Sequence, residues 1–106
     1  MLGTVFDVET DGFNSTKIHV LSASTDGLVT RSTHDYEKME EFFLGQEILV
    51  GHNIIRFDIP QVSKVLGIEV PKETLLIDTL ALSWYLYPTR KTHNLADWGE
   101  ELGIPK

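Results

Sequence analysis

Two short blocks of the sequence hold residue types able to do metal-assisted chemistry, Phe6-Asp7-Val8-Glu9 and Asn53-Ile54-Ile55-Arg56-Phe57-Asp58. If the first block is a strand, Asp7 and Glu9 point to one face and Val8 turns into the core behind them. Two carboxylates so close repel each other, and an oxygen-seeking divalent cation such as Mg²⁺ or Mn²⁺ between them relieves the repulsion. Asp58 follows a short buried strand and stands at the start of a helix, from which it can face the same place. Three converging carboxylates suit a two-metal site, where cations about 3.5–4 Å apart stabilise the attacking and leaving oxygens of an in-line phosphodiester displacement. Asp-x-Glu alone is a weak signal; the second block gives it weight.

The first block needs a rigid strand. Leu2 to Val8 is apolar and β-branched, and runs into the turn signal Thr10-Asp11-Gly12. Ile18 to Thr25 alternates, and Asp26-Gly27 joins it to Leu28-Val29-Thr30-Arg31 as a hairpin. Asp35 caps a helix whose inner face is Tyr36, Met39, Phe42 and Phe43, with Glu37, Lys38, Glu40 and Glu41 outside. The second block needs Ile48-Leu49-Val50-Gly51 as a buried strand, then a helix through Ile59, Val62, Val65 and Leu66 with Pro60 in its first turn and Gly67 as its stop. Leu75-Leu76-Ile77 reads as a further strand, followed by Asp78-Thr79, a helix through Leu80, Leu82, Trp84 and Leu86 ending at Pro88, and a last helix Leu95 to Leu102 capped by Asn94. The order β-β-β-α-β-α-β-α-α predicts an α/β layer fold on a mixed sheet flanked by helices.

At 106 residues and 12.0 kDa the chain is sized for one domain, and 42% hydrophobic with 24% charged residues is an ordinary globular composition. Zero cysteines exclude disulfides, thiolate metal sites and cysteine nucleophiles, so any metal is held by oxygen or imidazole. No apolar run reaches membrane-spanning length and Met1-Leu2-Gly3-Thr4 lacks a signal-peptide layout, so a cytoplasmic protein without membrane contact is expected. Nine Lys and Arg against sixteen Asp and Glu give a net charge of −7, the wrong sign for a broad nucleic-acid-gripping face. Two divalent cations would offset four of those charges.

Taken together, Asp7-x-Glu9, Asn53-x-x-x-Phe57-Asp58 and the pair Asp78-Thr79 resemble the DnaQ-like (DEDD) 3′→5′ exonucleases of the ribonuclease H-like fold. Within that family the chain looks closest to the proofreading domain of A-family bacteriophage DNA polymerases, where the helix after Asp-Thr is also followed by His-x-Leu-x-x-Trp-Gly-x-x-Leu-Gly, here His93 to Gly103. The resemblance implies that residues 1–106 are the N-terminal part of a single 3′→5′ exonuclease domain. Such a domain trims single-stranded DNA 3′ ends by two-metal hydrolysis during DNA replication, in the cytoplasm of a bacterium or a phage-infected host.

By the same resemblance, Asp7 bridges both metals, Glu9 binds one and touches the terminal nucleotide, and Asp58 holds the second, directly or through water. Thr10 contacts the 3′ end through its backbone, and Asn53 positions the terminal strand. Phe57 is either a base-stacking wall or core, and so is Phe13, in a loop from Asp11 to Thr16 that forms a lip over the substrate. His52 is read as making a strand-end hydrogen bond, and Asp78 as capping the following helix and supporting the site. Arg56, Arg90, Lys91 and His93 are the phosphate-contact candidates, with solvated surface the equal alternative. Trp84, Tyr85, Tyr87 and Trp98 are read as core.

The family also uses a third motif, Tyr-x-x-x-Asp or His-x-x-x-x-Asp, which brings the fourth carboxylate. His93-x-x-x-Asp97 has the wrong spacing and lies in the block that precedes that motif. A truncated exonuclease domain is therefore expected, whether a cut-down chain, one piece of a split DNA polymerase whose remainder is its partner, or a free-standing remnant, and it is expected to be weak or inactive alone. The alternatives are a non-catalytic remnant that binds a polymerase or mimics DNA, and an RNA-directed nuclease of the same superfamily.

Overall fold

Thr4, Phe6 and Val8 alternate with Val5, Asp7 and Glu9 along the first strand, and the structure, a computed structural model describing residues 3–103, buries the first set and exposes the second. The elements run β1 (Thr4–Thr10), β2 (Ile18–Ser24), β3 (Arg31–Thr33), α1 (Tyr36–Gly45), β4 (Ile48–Gly51), a π-helical turn (Ile54–Asp58), α2 (Ile59–Leu66), β5 (Leu75–Asp78), α3 (Thr79–Leu86) and α4 (Leu95–Leu102). This is the expected order, and Leu2, which the sequence placed in the first strand, lies outside the described residues. The five strands form one mixed sheet in the order β3-β2-β1-β4-β5. β1 pairs antiparallel with β2 and parallel with β4, and β5 adds parallel to β4. The two carboxylate-bearing segments, β1 and the turn after β4, are thereby neighbours.

The core lies on one face of the sheet. Phe6 and Val8 of β1, Leu21 of β2 and Leu49 of β4 meet Met39 and Phe43 of α1, Ile54 of the π turn and Val62 of α2. Phe43 packs edge-on against Phe6, with ring centroids 5.3 Å apart. Asp35 caps α1 through the Glu37 amide, and Gly67 ends α2 in the left-handed region, as the sequence predicts. The opposite face carries Val5, Ile48, Val50, Leu75 and Ile77 on the three mutually parallel strands, and Val5 and Leu75 there are more than half exposed. Strands paired in parallel are usually covered on both faces. Here one side is only partly sheltered, and Asp7 and Glu9 lie on it.

Three details depart from the sequence reading. Leu28 and Val29, expected in the second strand of the hairpin, are exposed in its turn, because the Asp26 carboxylate accepts both of their amides at 2.8 and 3.0 Å. The alternation of β2 breaks where Thr10 pairs with Ile18 directly after Glu9 pairs with Val20, a bulge that lets Ile18 and Leu21 both face the core. Trp84, Tyr85 and Tyr87, read as core, are exposed on and just after α3, and Trp98 is half-buried. α3 is apolar on every side, which in larger proteins marks a helix surrounded by others. Its only buried residue is Ser83. No helix among the described residues is long and apolar enough to cross a membrane.

Gly51 joins β4 to the turn at a place where a side chain does not fit. An added Cβ would stand 2.4 Å from Cγ2 of Ile54 and 3.1 Å from the Phe6 carbonyl oxygen. Gly51→Ala should therefore lower the unfolding free energy by about 1–3 kcal/mol, the usual cost of overpacking a core. Urea unfolding followed by circular dichroism measures it.

Candidate active site

Asp58 reaches the edge of β1 because of the chain path after β4. Gly51 ends the strand, and Asn53 takes the left-handed conformation at φ 63°, the one non-glycine residue among those described with positive φ. The chain then winds through a π turn, in which the Ile59 amide bonds to the Ile54 carbonyl. Pro60 explains the wide turn. In a regular α-helix its ring would meet the carbonyl of Arg56, four residues earlier, and the extra residue per turn relieves that clash. The sequence reading had the helix begin at Phe57-Asp58 and missed the turn.

The turn is pinned by Asp78, at the end of β5. One of its oxygens accepts the amides of Asn53 at 2.8 Å and Leu80 at 2.9 Å, with Ala81 longer at 3.5 Å, and the other accepts the Ile55 amide at 3.0 Å. Burial opposes ionisation of Asp78, but together these amides outweigh it and hold its pKa below the usual carboxylate value. Asp78 thus caps α3 and holds the turn that presents Asp58, matching its expected supporting role. His52 shares a hydrogen bond with Thr79 at 2.9 Å, again as expected.

Asp58 itself is buried. Burial, and after it the negative charge of Asp7, push its carboxyl up to about 7, against a hydrogen bond from the Val8 backbone and with a smaller upward push from Asp78. Asp7 and Glu9 share the exposed face of β1 with Val8 buried behind them. Among the described residues, however, no group of three or more His, Asp or Glu side chains stands close enough to hold a metal ion. Asp7, Glu9 and Asp58 do not form such a group, although the charge of Asp7 is felt at Asp58. Same-face positions along a strand lie about 6.6 Å apart, and like charges favour separation. An all-oxygen pair with one member buried and drawn toward protonation is still a donor set that a hard divalent cation fits.

The flanking residues divide clearly. The Thr10 hydroxyl bonds the Gly12 carbonyl at 3.1 Å where the loop from Asp11 to Thr16 begins, and Asp11 braces the loop by accepting the Thr16 hydroxyl and the amides of Thr16 and Lys17. Those bonds, the Thr16 hydroxyl first, lower the Asp11 carboxyl to about 2. The loop is fastened to α2 where Gln61 accepts the amide of buried Ser15 and Lys64 bonds Asn14. Phe13 is almost fully exposed and touches half-buried Phe57 edge-on at 6.1 Å. Asn53 and Arg56 line a groove beside the turn. Arg90 is engaged by Glu101, by the Thr92 carbonyl and by the Trp98 ring, and His93 is buried between Ser83 and the Arg90 carbonyl. Neither is available to a phosphate as the sequence reading proposed, because each serves the corner between α3 and α4.

No protein-family model and no curated protein matches the chain. Solved structures do. Brucella melitensis NrnC with bound Mg²⁺ superposes with a TM-score of 0.79 at 17% identity, over 98% of this chain and 55% of NrnC. NrnC bound to pGG matches at 0.74 and 17%, over 94% and 52%. The family B DNA polymerase of the archaeon Pyrobaculum calidifontis matches at 0.68 and 17%, over 100% of this chain and 19% of the polymerase. The fold is ribonuclease H-like, the DnaQ-like exonuclease fold. The chain spans about half the length of the NrnC chains it matches.

Burial of Asp58 makes the stability of the fold depend on pH. Between the carboxyl's ordinary value of 3.8 and about 7, the folded chain holds a proton that the unfolded chain has released, so raising pH through that window destabilises the metal-free fold. Asp58→Asn should remove this slope and, at pH 8 in EDTA, make the variant more stable than the wild type by on the order of 3 kcal/mol. Urea unfolding of both proteins at pH 5 and pH 8 reads the difference.

Proposed function

We propose that this chain is the N-terminal part of a single metal-dependent 3′→5′ exonuclease domain, acting on the 3′ ends of single-stranded DNA. The observation that carries the reading is the buried Asp58 set against Asp7 on adjoining segments of a fold shared with NrnC, which has been solved with Mg²⁺ and with pGG. The proofreading role and the phage A-family polymerase affinity rest on the sequence motifs Asp7-x-Glu9, Asn53-x-x-x-Phe57-Asp58 and His93 to Gly103.

Asp7 and Asp58 would hold Mg²⁺ or Mn²⁺, with Glu9 drawn in as a further ligand. The bound cations would supply charge neutralisation at the scissile phosphate and make a water nucleophilic near neutral pH. The protein's own residues position the strand. The Thr10 backbone meets the 3′ end, Asn53 orients the terminal nucleotide, Phe57 walls the base and Arg56 meets a phosphate. A fourth carboxylate would come from a further polypeptide segment, such as the remainder of a split polymerase, laid over the partly open sheet face beside Asp7 and Glu9. The chain alone is then weakly active.

That no group of three His, Asp or Glu side chains among the described residues is able to hold a metal ion favours a second reading, a non-catalytic remnant that binds a polymerase or mimics DNA through its charge of −7. A pull-down separates the two, because this reading requires a partner whose binding survives Asp7→Ala.

Mn²⁺ should raise the melting temperature of the wild type and leave Asp7→Ala unchanged. With 5′-labelled single-stranded DNA, the chain in Mn²⁺ should give a ladder shortened from the 3′ end, faster when the polypeptide carrying the fourth carboxylate is added and slower by orders of magnitude in Asp7→Ala. Metal binding without hydrolysis, with or without that polypeptide, would refute the exonuclease reading.

A further inference from the structure

A groove of about 470 Å³ opens between the π turn and α3, within the about 300–1,000 Å³ range of small-ligand clefts. Ile55, Leu80 and Ala81 line it along with Arg56 and Trp84. We propose that this groove is a nucleotide subsite next to the carboxylate site, where Trp84 stacks on a base and Arg56 pairs with a phosphate of a single-stranded nucleic acid. The proposal rests on the nuclease reading of Asp7 and Asp58 and extends it to a residue the sequence reading had assigned to the core.

Trp84 is built as a platform. One side of its indole is stacked on the His93 ring, with centroids 3.8 Å apart and planes 21° from parallel. His93 cannot turn away, since it is buried with Nδ1 2.6 Å from the Ser83 hydroxyl and Nε2 3.1 Å from the Arg90 carbonyl. The Trp98 indole N–H in turn donates to the Ser83 hydroxyl at 2.7 Å. Trp84 is therefore held in one orientation, yet it remains 55% exposed. A large aromatic surface fixed in place loses little conformational freedom on binding, and nucleobases of any sequence stack on it.

Arg56 supplies the matching charge. Among the described residues no ion pair or hydrogen bond engages it, whereas Arg90 is taken by Glu101, the Thr92 carbonyl and Trp98. The carboxylate lining the groove, Asp78, has both oxygens occupied by backbone amides. A free guanidinium beside a fixed indole, on a chain of charge −7, is a local complement to a phosphate and base rather than to another copy of this acidic protein. Arg56 lies two residues before Asp58, so a strand whose end reaches the carboxylates passes the groove.

The test is fluorescence anisotropy of labelled oligo(dT) of two to six nucleotides with the whole chain, in Ca²⁺ so that binding is read apart from hydrolysis. Wild-type affinity should rise with length, and Trp84→Ala should weaken the longer oligonucleotides about five- to a hundredfold while sparing the dinucleotide. Trp84→Phe should restore most of the loss. Arg56→Ala, an exposed change that leaves the fold intact, should cost the same length-dependent gain and reduce the salt slope by about one, which keeps the test decisive if Trp84→Ala fails to fold. Equal affinities for wild type, Trp84→Ala and Arg56→Ala at every length would overturn the subsite together with the phosphate contact of Arg56, and leave the metal-dependent nuclease reading of Asp7 and Asp58 standing. A change of oligomeric state in Trp84→Ala, with binding unchanged, would overturn it in favour of a protein interface. Failure of the wild type to bind any oligonucleotide would remove both readings.

Discussion

The Asp78 carboxylate accepts backbone amides from two chain segments at once, those of Asn53 and Ile55 in the turn after β4 and those of Leu80 and Ala81 at the start of α3. Each segment begins a helix, and the first amides of a helix have no partner within it. One carboxylate satisfies both sets. It therefore fixes α3 relative to the π turn, and the turn fixes Asp58 relative to β1. The groove beside Trp84, the left-handed Asn53 and the burial of Asp58 all follow from this junction between β4 and β5.

What the junction presents is a carboxyl held away from its ordinary charge state. Asp58 is buried, and the charge that acts on it most strongly is that of Asp7, another acid. A fold optimised only for stability would place a basic or neutral side chain there, because an uncompensated buried charge is costly. Groups perturbed by burial and by a specific charged neighbour are typical of working sites. The destabilisation at Asp58 contrasts with Asp11 and Asp78, where backbone amides and hydroxyls compensate the charge and lower the pKa.

The same contrast separates the two faces of the sheet. Phe6, Val8, Leu21, Leu49, Phe43 and Met39 form a dense cluster on one side, with little solvent left between sheet and helices. On the other side Val5 and Leu75 remain half exposed, and the apolar residues of α3 also meet solvent where that helix lies. Asp7 and Glu9 share this second side with the exposed Val5. It is a face suited to receiving something, whether nucleic acid or polypeptide.

Much of this was legible in the sequence. Local pattern and residue type determined the order of the strands, the positions of β1, β2, β4 and β5, the caps at Asp35, Asp78 and Asn94 and the stop at Gly67, because helix ends and strand faces depend on local hydrogen bonding and on which residues alternate. They also determined that Asp7 and Glu9 share a face, since that follows from strand geometry. The bulge opposite Glu9, the Asp26 turn and the π turn were not legible, for they arise where pairing register or a proline clash competes with local preference. Only the tertiary structure decided that Asp58 is buried within reach of the charge of Asp7, that Arg90 and His93 are occupied and that Trp84 faces solvent. Each of these depends on which distant segments become neighbours, and side-chain spacing along one chain carries no record of that.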